Sequence, residues 1–219
     1  MIRRSDIVGV ILAGGLSRRM FEGASGQSGV RDKGLLPLGR VSMIETVLAR
    51  LGPQVATTII NANGDPARFA PLALPVVPDP IDGFVGPLAG VLAGMQWATA
   101  NKPAATHILT VSSDAPFLPT DLGEKLATAV ADQPTAIAIA QSNDEVHPVI
   151  GLWPIAHRQD LAAELASGVR KVLRWTDKHG TVPVPFPMIA VGSETIDPFF
   201  NANTPQELDE ARRLLALVS

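Results

Sequence analysis

Ile7-Val8-Gly9-Val10-Ile11-Leu12-Ala13, followed at once by Gly14-Gly15-Leu16-Ser17-Arg18-Arg19-Met20, is the stretch that decides the fold. Its first half is continuously apolar and rich in β-branched residues, which predicts a strand buried on both faces. Such strands are typical of parallel sheets that are covered by helices. Its second half is a glycine-rich loop at the carboxyl end of that strand, where open parallel sheets bind their ligands.

The same alternation continues along the chain. Further short apolar runs predict strands at 55–60, 74–77, 107–111, 135–140, 147–153 and 181–184. Apolar periodicity predicts amphipathic helices at 43–51 and 86–100, another helix after Pro119-Thr120-Asp121, and a last one that begins at Pro205 and is capped by Thr204 and Glu207. Together these elements predict an α/β fold, a mostly parallel sheet with helices on both faces, in a single domain covering 1–219.

Composition excludes several classes of protein. The chain has 219 residues, enough for one large domain or at most two small ones, and its net charge of −3 argues against a broad nucleic-acid or membrane-binding surface. It has no cysteine, so disulfides, thiolate zinc sites and a cysteine nucleophile are excluded. No apolar run reaches the roughly 20 residues of a membrane helix. We expect a cytoplasmic protein without a signal peptide.

The glycine-rich loop has the chemistry of a phosphate site. Gly14 and Gly15 allow backbone N–H groups to approach a phosphate closely, and Arg18, Arg19 and the later Lys33 supply positive charge. The spacing is neither that of a P-loop nor that of the three-glycine dinucleotide motif. The alternative interpretation is an ordinary strand-to-helix turn with solvated arginines, and spacing alone leaves both open.

A series of short motifs follows the loop. They are Asp32-Lys33-Gly34-Leu35-Leu36, Asn61-Ala62-Asn63, Asp79, Gly86-Pro87-Leu88-Ala89-Gly90, Asp114-Ala115-Pro116, His147-Pro148 and Asn201-Ala202-Asn203-Thr204-Pro205. Each motif is weak alone. Together with the loop, this ordered set resembles the molybdenum cofactor guanylyltransferases, part of the wider nucleotidyltransferase family with a Rossmann-like, three-layer fold. The resemblance extends through most of the chain.

The resemblance implies a reaction and its substrates. The phosphate of molybdopterin, with or without bound molybdenum, attacks the α-phosphorus of GTP, and pyrophosphate leaves. A phosphate monoester carries its own anionic oxygen, so catalysis reduces to positioning and charge neutralisation. Mg²⁺ is the implied cofactor and Asp114 its implied ligand, because a carboxylate at a strand end suits this ion. The alternative is an aspartate that caps the turn before Pro116.

The resemblance also implies roles for individual residues. Catalysis is implied for Arg19, Lys33 and Asp114, although both cations could instead be solvated. GTP binding is implied for Leu12, Ala13, Gly14, Gly15, Lys33, Asn61, Asp79 and Asp114, in an N-terminal part spanning 1–115. Contacts on the pterin side, in the C-terminal part spanning 116–219, are implied for His147, Arg170, Lys171, Asn201 and Asn203. The alternatives are a strand-start histidine and asparagines that form a turn.

Two features bear on the nucleotide and its loop. Gly14 before Gly15, and the intact segment 86–90, match the guanine-using branch rather than the related cytidylyltransferases, so we expect GTP. The lysine of the motif is displaced by an insertion of about eight residues, which includes the polar, glycine-rich run 22–29. We expect 21–32 to be disordered without nucleotide and to close over the triphosphate.

The same motifs are also compatible with other functions. A cytidylyltransferase for the same pterin, or a sugar-phosphate nucleotidyltransferase, would share the loop, Asp114 and the fold. A non-catalytic carrier of the guanylated cofactor would use the pterin-side residues equally well. Proteins of cofactor synthesis and of molybdoenzyme maturation are the expected protein partners, and neither nucleic acid nor a membrane is expected.

Overall fold

The computed structural model describes residues 1–14, Met20, 32–81 and 86–217. The strands are β1 (Ile7–Leu12), β2 (Pro37–Leu38), β3 (Val41–Ser42), β4 (Thr57–Asn61), β5 (Val76–Val77), β6 (His107–Ser112), β7 (Ile137–Ser142), β8 (Glu145–Pro154), β9 (Thr181–Pro185), β10 (Ile189–Val191) and β11 (Glu194–Ile196). The α-helices are α1 (Met43–Leu51), α2 (Pro87–Asn101), α3 (Leu122–Ala129), α4 (Arg158–Ala166), α5 (Val172–Thr176) and α6 (Pro205–Leu217).

Seven of these strands form one sheet in the order β5-β4-β1-β6-β8-β7-β9. The pairs β5–β4, β4–β1, β1–β6 and β7–β9 are parallel, whereas β8 is antiparallel to both of its neighbours. The prediction of a mostly parallel sheet is therefore confirmed. The strand β1 lies at the centre of its parallel half, so the carboxyl ends of β4, β1 and β6 lie side by side.

Burial on both faces explains the continuous apolar run of β1. Ile7 and Ile11 pack in a cluster with residues of α1 and α3, while Val8 and Val10 pack in a second cluster with residues of α2, α4 and α5. All four side chains are buried. Complete burial of each contributes about 1.5–3 kcal/mol to folding. Two helical layers thus cover the sheet, as the sequence predicts.

A third cluster of buried residues joins α6 to β2 and to the beginning of α1. Leu208, Ala211 and Leu214 of α6 are buried with Leu38 and Met43, at the beginning of α1. The start of α6 is closed by the predicted capping box. Its members are Thr204 and Glu207, which accept each other's backbone N–H groups at 3.2 and 2.9 Å. The prediction for this helix start is confirmed.

The helix α2 was predicted to be amphipathic, but its small residues are buried together with its large apolar ones. The expected apolar positions are buried, but so are the small residues between them: Ala89, Gly90, Ala93 and Gly94. These small residues allow a close approach to the sheet, since a Cβ on Gly94 would lie 2.7 Å from Val10 Cγ2. The other side of α2 is covered by α4. Residues 88–95 of α2 are thus enclosed between the sheet and another helix and have no solvated face, which the periodicity does not reveal.

The remaining elements differ from the prediction mainly at their ends. The predicted strand at 74–77 is reduced to Val76–Val77, and that at 55–60 is shifted to Thr57–Asn61. The hairpins β2–β3 and β10–β11 and the helices α4 and α5 were not predicted. Strands of two or three residues are too short for a periodic signal. Within the described ranges, no helix combines the length and apolar character that a bilayer crossing requires.

One buried group predicts how stability varies with pH. His107 at the start of β6 is 4% exposed, and burial lowers the pKa of its imidazole to about 4, although the charge of Asp6 opposes this shift. The unfolded chain takes up this proton near pH 6.5 and the folded protein does not. Stability is therefore lost as the pH falls from 6.5 to 4.

We expect this single group to remove about 2.5 kcal/mol of unfolding free energy between pH 7.5 and 4.5. The measurement is urea unfolding of the wild-type chain and of His107→Gln at both pH values. The variant lacks the titrating group, so its loss over the same interval should be smaller by that amount. Equal losses in the two proteins would exclude His107 as the cause.

Candidate nucleotide and metal site

The candidate site lies at the carboxyl ends of β4, β1 and β6. Leu12 is in register with Asn61 of β4 and with Ser112 of β6. Beyond the strands, the N–H of Ala13 donates to the carbonyl of Asn61 at 2.8 Å, and the N–H of Ser113 donates to the carbonyl of Leu12 at 3.1 Å. The first glycine-rich motif and the motifs that follow β4 and β6 are thereby held at one edge, where parallel sheets bind ligands.

A cluster around Asp114 forms the first half of the site. Asp114 is only 2% exposed, and its Oδ2 is ion-paired with Lys33 Nζ. Lys33 Nζ also donates to Asn203 Oδ1 at 2.6 Å, and Ser112 Oγ donates to Asp114 Oδ1. Residues far apart in the sequence, from three separate motifs, therefore meet here; we call Ser112, Asp114, Lys33 and Asn203 the phosphate-side cluster.

The turn that carries Lys33 is fixed by its neighbours. Asp32 caps the 3-10 helix Lys33–Leu35 by accepting from the N–H of Gly34 at 3.0 Å. Gly34 packs against the strand end, because a Cβ there would lie 3.0 Å from Ser113 Cβ. Asp32 is buried, and burial raises the pKa of its carboxyl, while the hydrogen bond from Gly34 and the charge of Arg68 oppose that shift. A buried carboxylate of this kind needs a partner of opposite charge.

A second cluster surrounds Asp79, which follows β5. Asn61 Nδ2 donates to Asp79 Oδ1 at 3.0 Å, and Asn63 Nδ2 donates to Asp79 Oδ2 at 2.7 Å. Asn63 Oδ1 in turn accepts from the Asp79 N–H at 2.8 Å. Both carboxylate oxygens are thus oriented by amides. We call Asn61, Asn63 and Asp79 the base-side cluster.

Asn61 is also the point where α2 approaches the strand ends. A Cβ on Gly90 would lie 2.3 Å from Asn61 Oδ1 and 2.7 Å from Leu12 Cδ2. A Cβ on Gly14 would lie 3.9 Å from the same Asn61 oxygen, an ordinary contact. The glycine at 90 is therefore required by the position of the Asn61 amide, whereas Gly14 is not restricted by this contact.

The predicted pterin-side residues do not all lie together. Asn203 belongs to the phosphate-side cluster, and Asn201 Oδ1 is buried without a hydrogen-bond partner among the described residues. His147 Nε2 is 2.7 Å from Ser142 Oγ, and its ring lies 4.7 Å from that of Phe199. Burial lowers the pKa of His147, while the charges of nearby carboxylates oppose this. Among the described pterin-side residues, Asn201 Oδ1 is the buried polar side-chain atom that lacks a hydrogen-bond partner.

Arg170 and Lys171 lie in the turn between α4 and α5. The Nη1 of Arg170 donates to the carbonyls of Leu165 and Val169, each at 2.8 Å, and so closes the end of α4. The Arg170 carbonyl is 3.8 Å from the Cβ position of Gly86, at the start of α2. This turn therefore faces the 86–90 motif, although the hydrogen bonds of Arg170 are local. A contact of either cation with the acceptor stays a prediction.

Some predicted residues lie outside the described ranges. These are Gly15, Ser17, Arg18 and Arg19 of the loop, and 21–31 of the predicted closing segment. Their roles stay predictions, as does the division of the chain at about residue 115.

The residues around Asp114 fit a divalent ion that is held mainly by substrate. Among the described residues no group of three or more His, Asp or Glu side chains could hold a metal. Mg²⁺ commonly uses one or two carboxylates and completes its shell with phosphate oxygens and water. Asp114 meets that requirement, with Ser112 on one oxygen and Lys33 on the other. A divalent ion would be held by the Asp114 carboxylate, which Ser112 and Lys33 also contact.

Comparison with known proteins identifies the family of this chain. The sequence model of the MobA-like NTP transferase domain matches residues 9–182. The molybdenum cofactor guanylyltransferase of Bradyrhizobium sp. (strain ORS 278) is 44% identical over 212 residues, which are 96% of this chain and 94% of that protein. The chain belongs to the MobA-like NTP transferase family. Further relatives of this MobA-like transferase, 41% and 47% identical, carry the same name as the Bradyrhizobium protein.

Solved structures agree on the fold of this MobA-like transferase. Molybdopterin-guanine dinucleotide biosynthesis protein A from Archaeoglobus fulgidus superposes with a TM-score of 0.70 at 20% identity, over 96% of this chain and 98% of that one. A protein from Mycobacterium tuberculosis H37Rv, solved in complex with manganese, gives 0.61 at 18% identity, over 95% and 99%. The predicted Rossmann-like nucleotidyltransferase fold is confirmed.

Four side chains that organise the site of this MobA-like transferase belong to none of the motifs read from its sequence. Ser112 orients Asp114, and Arg68 contacts Asp32 with a separation of 3.6 Å between Nε and Oδ2. Ser142 donates to Asp197 Oδ1 at 2.8 Å, and the same oxygen accepts from the N–H of Phe199 at 2.7 Å. Of these four, Ser112 had a usable signal, because it ends β6 only two residues before Asp114.

Proposed function

We propose that this MobA-like transferase is a molybdenum cofactor guanylyltransferase. An anionic oxygen of the molybdopterin phosphate attacks the α-phosphorus of GTP and forms a new P–O bond. The bond between the α-phosphorus and the bridging oxygen breaks, and pyrophosphate leaves with the electron pair. The products are the guanine dinucleotide form of the cofactor and pyrophosphate. The observation that carries the proposal is near-complete coverage by relatives of that name at 41–47% identity.

The two clusters support a division of labour within GTP. The phosphate-side cluster offers a cation, Lys33, beside a buried carboxylate, which suits a triphosphate and its metal. The base-side cluster offers Asp79, whose carboxylate can accept from guanine N–H groups or ribose hydroxyls. The close approach of Gly90 to Asn61 keeps the Asn61 amide in place, and that amide in turn donates to Asp79.

A divalent cation belongs to the proposed reaction, and we infer that it is Mg²⁺ held by Asp114. When bound, the ion neutralises charge on the triphosphate and on the leaving pyrophosphate. Ser112 then keeps one carboxylate oxygen of Asp114 in place. Lys33, which Asn203 holds beside Asp114, would supply positive charge to the phosphates. Arg19, from the loop, is proposed as a second phosphate contact.

The acceptor is proposed to approach from the side of Asn201 and Asn203. The buried, unpartnered Oδ1 of Asn201 supports this, because a pterin ring presents N–H donors that could satisfy it. Cytoplasmic location and contacts with cofactor-synthesis or molybdoenzyme-maturation proteins remain part of the proposal. No observation favours a nucleic-acid partner.

The decisive experiment compares nucleotides in one assay. The full chain is incubated with molybdopterin, Mg²⁺ and GTP, CTP or ATP in turn; released pyrophosphate is measured and the modified pterin is identified by mass. Of the three nucleotides, we expect only GTP to yield pyrophosphate and dinucleotide, and we expect neither product when a chelator is present. Dinucleotide formation from CTP would identify a cytidylyltransferase. Tight binding of preformed guanylated cofactor without any pyrophosphate would identify a carrier.

A further inference from the structure

Arg68 is a largely buried arginine between the two clusters of the site. It lies in the 3-10 helix Pro66–Leu72, which follows β4, and its side chain is 11% exposed. Burial of a guanidinium is costly unless its charge and its donors are partnered. The contacts of Arg68 must therefore account for its burial in this helix, a few residues after Asn61 and Asn63.

The contacts of Arg68 reach both sides. Nη2 donates to the carbonyl of Asn63 at 2.7 Å, and Nη1 donates to the carbonyl of Asp65 at 2.6 Å. Nε lies 3.6 Å from Asp32 Oδ2 and has no hydrogen-bond acceptor among the described residues, so this contact is one of charge. The guanidinium also lies 4.5 Å from the ring centroid of the buried Phe69, which holds it in place.

Asn63 and Asp32, the residues that Arg68 contacts on its two sides, each position a residue of the proposed GTP site. On the base side, the Asn63 side chain both donates to the Asp79 carboxylate and accepts from its N–H, at 2.7 and 2.8 Å. On the phosphate side, Asp32 caps the turn that presents Lys33 to Asp114. Since Asp32 is 8% exposed, its charge depends on the neighbouring guanidinium.

We propose that Arg68 is a positioning residue that fixes the base-side and the phosphate-side clusters relative to each other. This inference rests on the proposed function, because it concerns the nucleotide site of that reaction. A lysine could neutralise Asp32, but its donors all leave one nitrogen, whereas Arg68 meets the two carbonyls and the carboxylate with three separate nitrogens of a planar group. The chain thus links recognition of the base to the placement of the triphosphate through one side chain.

The first test needs no nucleotide. Hydrogen exchange is measured at the amides of Gly34 and Asp79, which donate to Asp32 and Asn63 respectively. In Arg68→Gln we expect both amides to exchange about tenfold faster or more, together, while the core strands keep their protection. Arg50→Gln is the matched control, because Arg50 is half-buried and also donates to a carbonyl, that of Leu118, at 3.0 Å. It should leave both amides unchanged.

The second test measures GTP affinity in the presence of Mg²⁺ by calorimetry. We expect the dissociation constant to rise about tenfold in Arg68→Gln and to stay at the wild-type value in Arg50→Gln. Asp32→Asn removes the buried charge and keeps the acceptor for Gly34. The double variant Arg68→Gln/Asp32→Asn should therefore bind GTP more tightly than Arg68→Gln alone, but less tightly than the wild-type chain. Arg68→Lys should bind GTP no more tightly than this double variant.

The outcomes separate this inference from the proposed function. If the wild-type chain binds GTP but forms no dinucleotide, the proposed function fails while the Arg68 comparison still stands. If the wild-type chain is active and Arg68→Gln shows unchanged exchange and affinity, the positioning role is wrong. If only one of the two amides responds, Arg68 serves one cluster and the link is wrong. A chain that does not bind GTP would overturn both.

Discussion

Asp114→Asn is expected to abolish Mg²⁺-dependent pyrophosphate release while the protein remains folded. Asparagine keeps the size of the side chain and an oxygen that accepts from Ser112, but it loses the negative charge that would hold the metal. Lys33 retains its hydrogen bond to Asn203 at 2.6 Å, so the cluster does not collapse. Loss of a metal contact is worth several kcal/mol, and about 4 kcal/mol corresponds to a thousandfold lower rate.

The measurement is pyrophosphate release with GTP and molybdopterin, alongside thermal unfolding of the same preparations. Asp209→Asn is the control, since the side chain of Asp209 is 74% exposed and is paired with Arg212 on the surface of α6. The control should retain wild-type turnover and unfolding temperature. Near-normal turnover in Asp114→Asn would exclude Asp114 as the metal ligand and would leave Lys33 as the reason for its burial.

The sequence predicts this part of the site well because its residues stand at strand ends. Continuous apolar runs locate β1 and β6, and the polar residues directly after a parallel strand must meet at the carboxyl edge. The sequence alone therefore predicts that Asn61 and Asp114 lie at the edge of the sheet where β1 ends. The capping box at Thr204 and Glu207 is equally local, and it places Asn203 at the start of α6.

What could not be predicted depends on contacts between distant segments. The approach of Arg68 to Asp32 joins two loops with no shared pattern, and the charge of neither residue indicates burial. The enclosure of residues 88–95 of α2 depends on α4, a helix that no sequence pattern predicted. The same limitation hid the role of Gly90. Its spacing within a motif was visible, but the amide it must accommodate lies on another strand.

Gly90→Ala is expected to cause a large loss of GTP affinity. The added Cβ would lie 2.3 Å from Asn61 Oδ1, far inside van der Waals contact. Asn61 must then turn away from Asp79, which it contacts at 3.0 Å, and the base-side cluster loses one of its two amides. We expect the dissociation constant for GTP to rise about a hundredfold, since both a clash and a hydrogen bond to a charged group are involved.

Gly94→Ala, four residues further along the same helix, separates this effect from damage to the core. Its Cβ would lie 2.7 Å from Val10 Cγ2, so it should lower the unfolding free energy by about 1–3 kcal/mol and leave GTP affinity unchanged. If both variants lose affinity in proportion to their loss of stability, the nucleotide effect of Gly90 is only a packing effect.

A double variant tests whether Gly90 acts through Asn61. Asn61→Ala alone removes the amide and should weaken GTP binding moderately, because Asn63 still holds Asp79 at 2.7 Å. In Gly90→Ala the displaced amide remains and obstructs the site, so that variant should bind more weakly than Asn61→Ala. Adding Asn61→Ala to Gly90→Ala should therefore improve GTP affinity to the level of Asn61→Ala. Additive losses would mean that the two residues act independently, and that the glycine serves only the packing of α2 against Leu12.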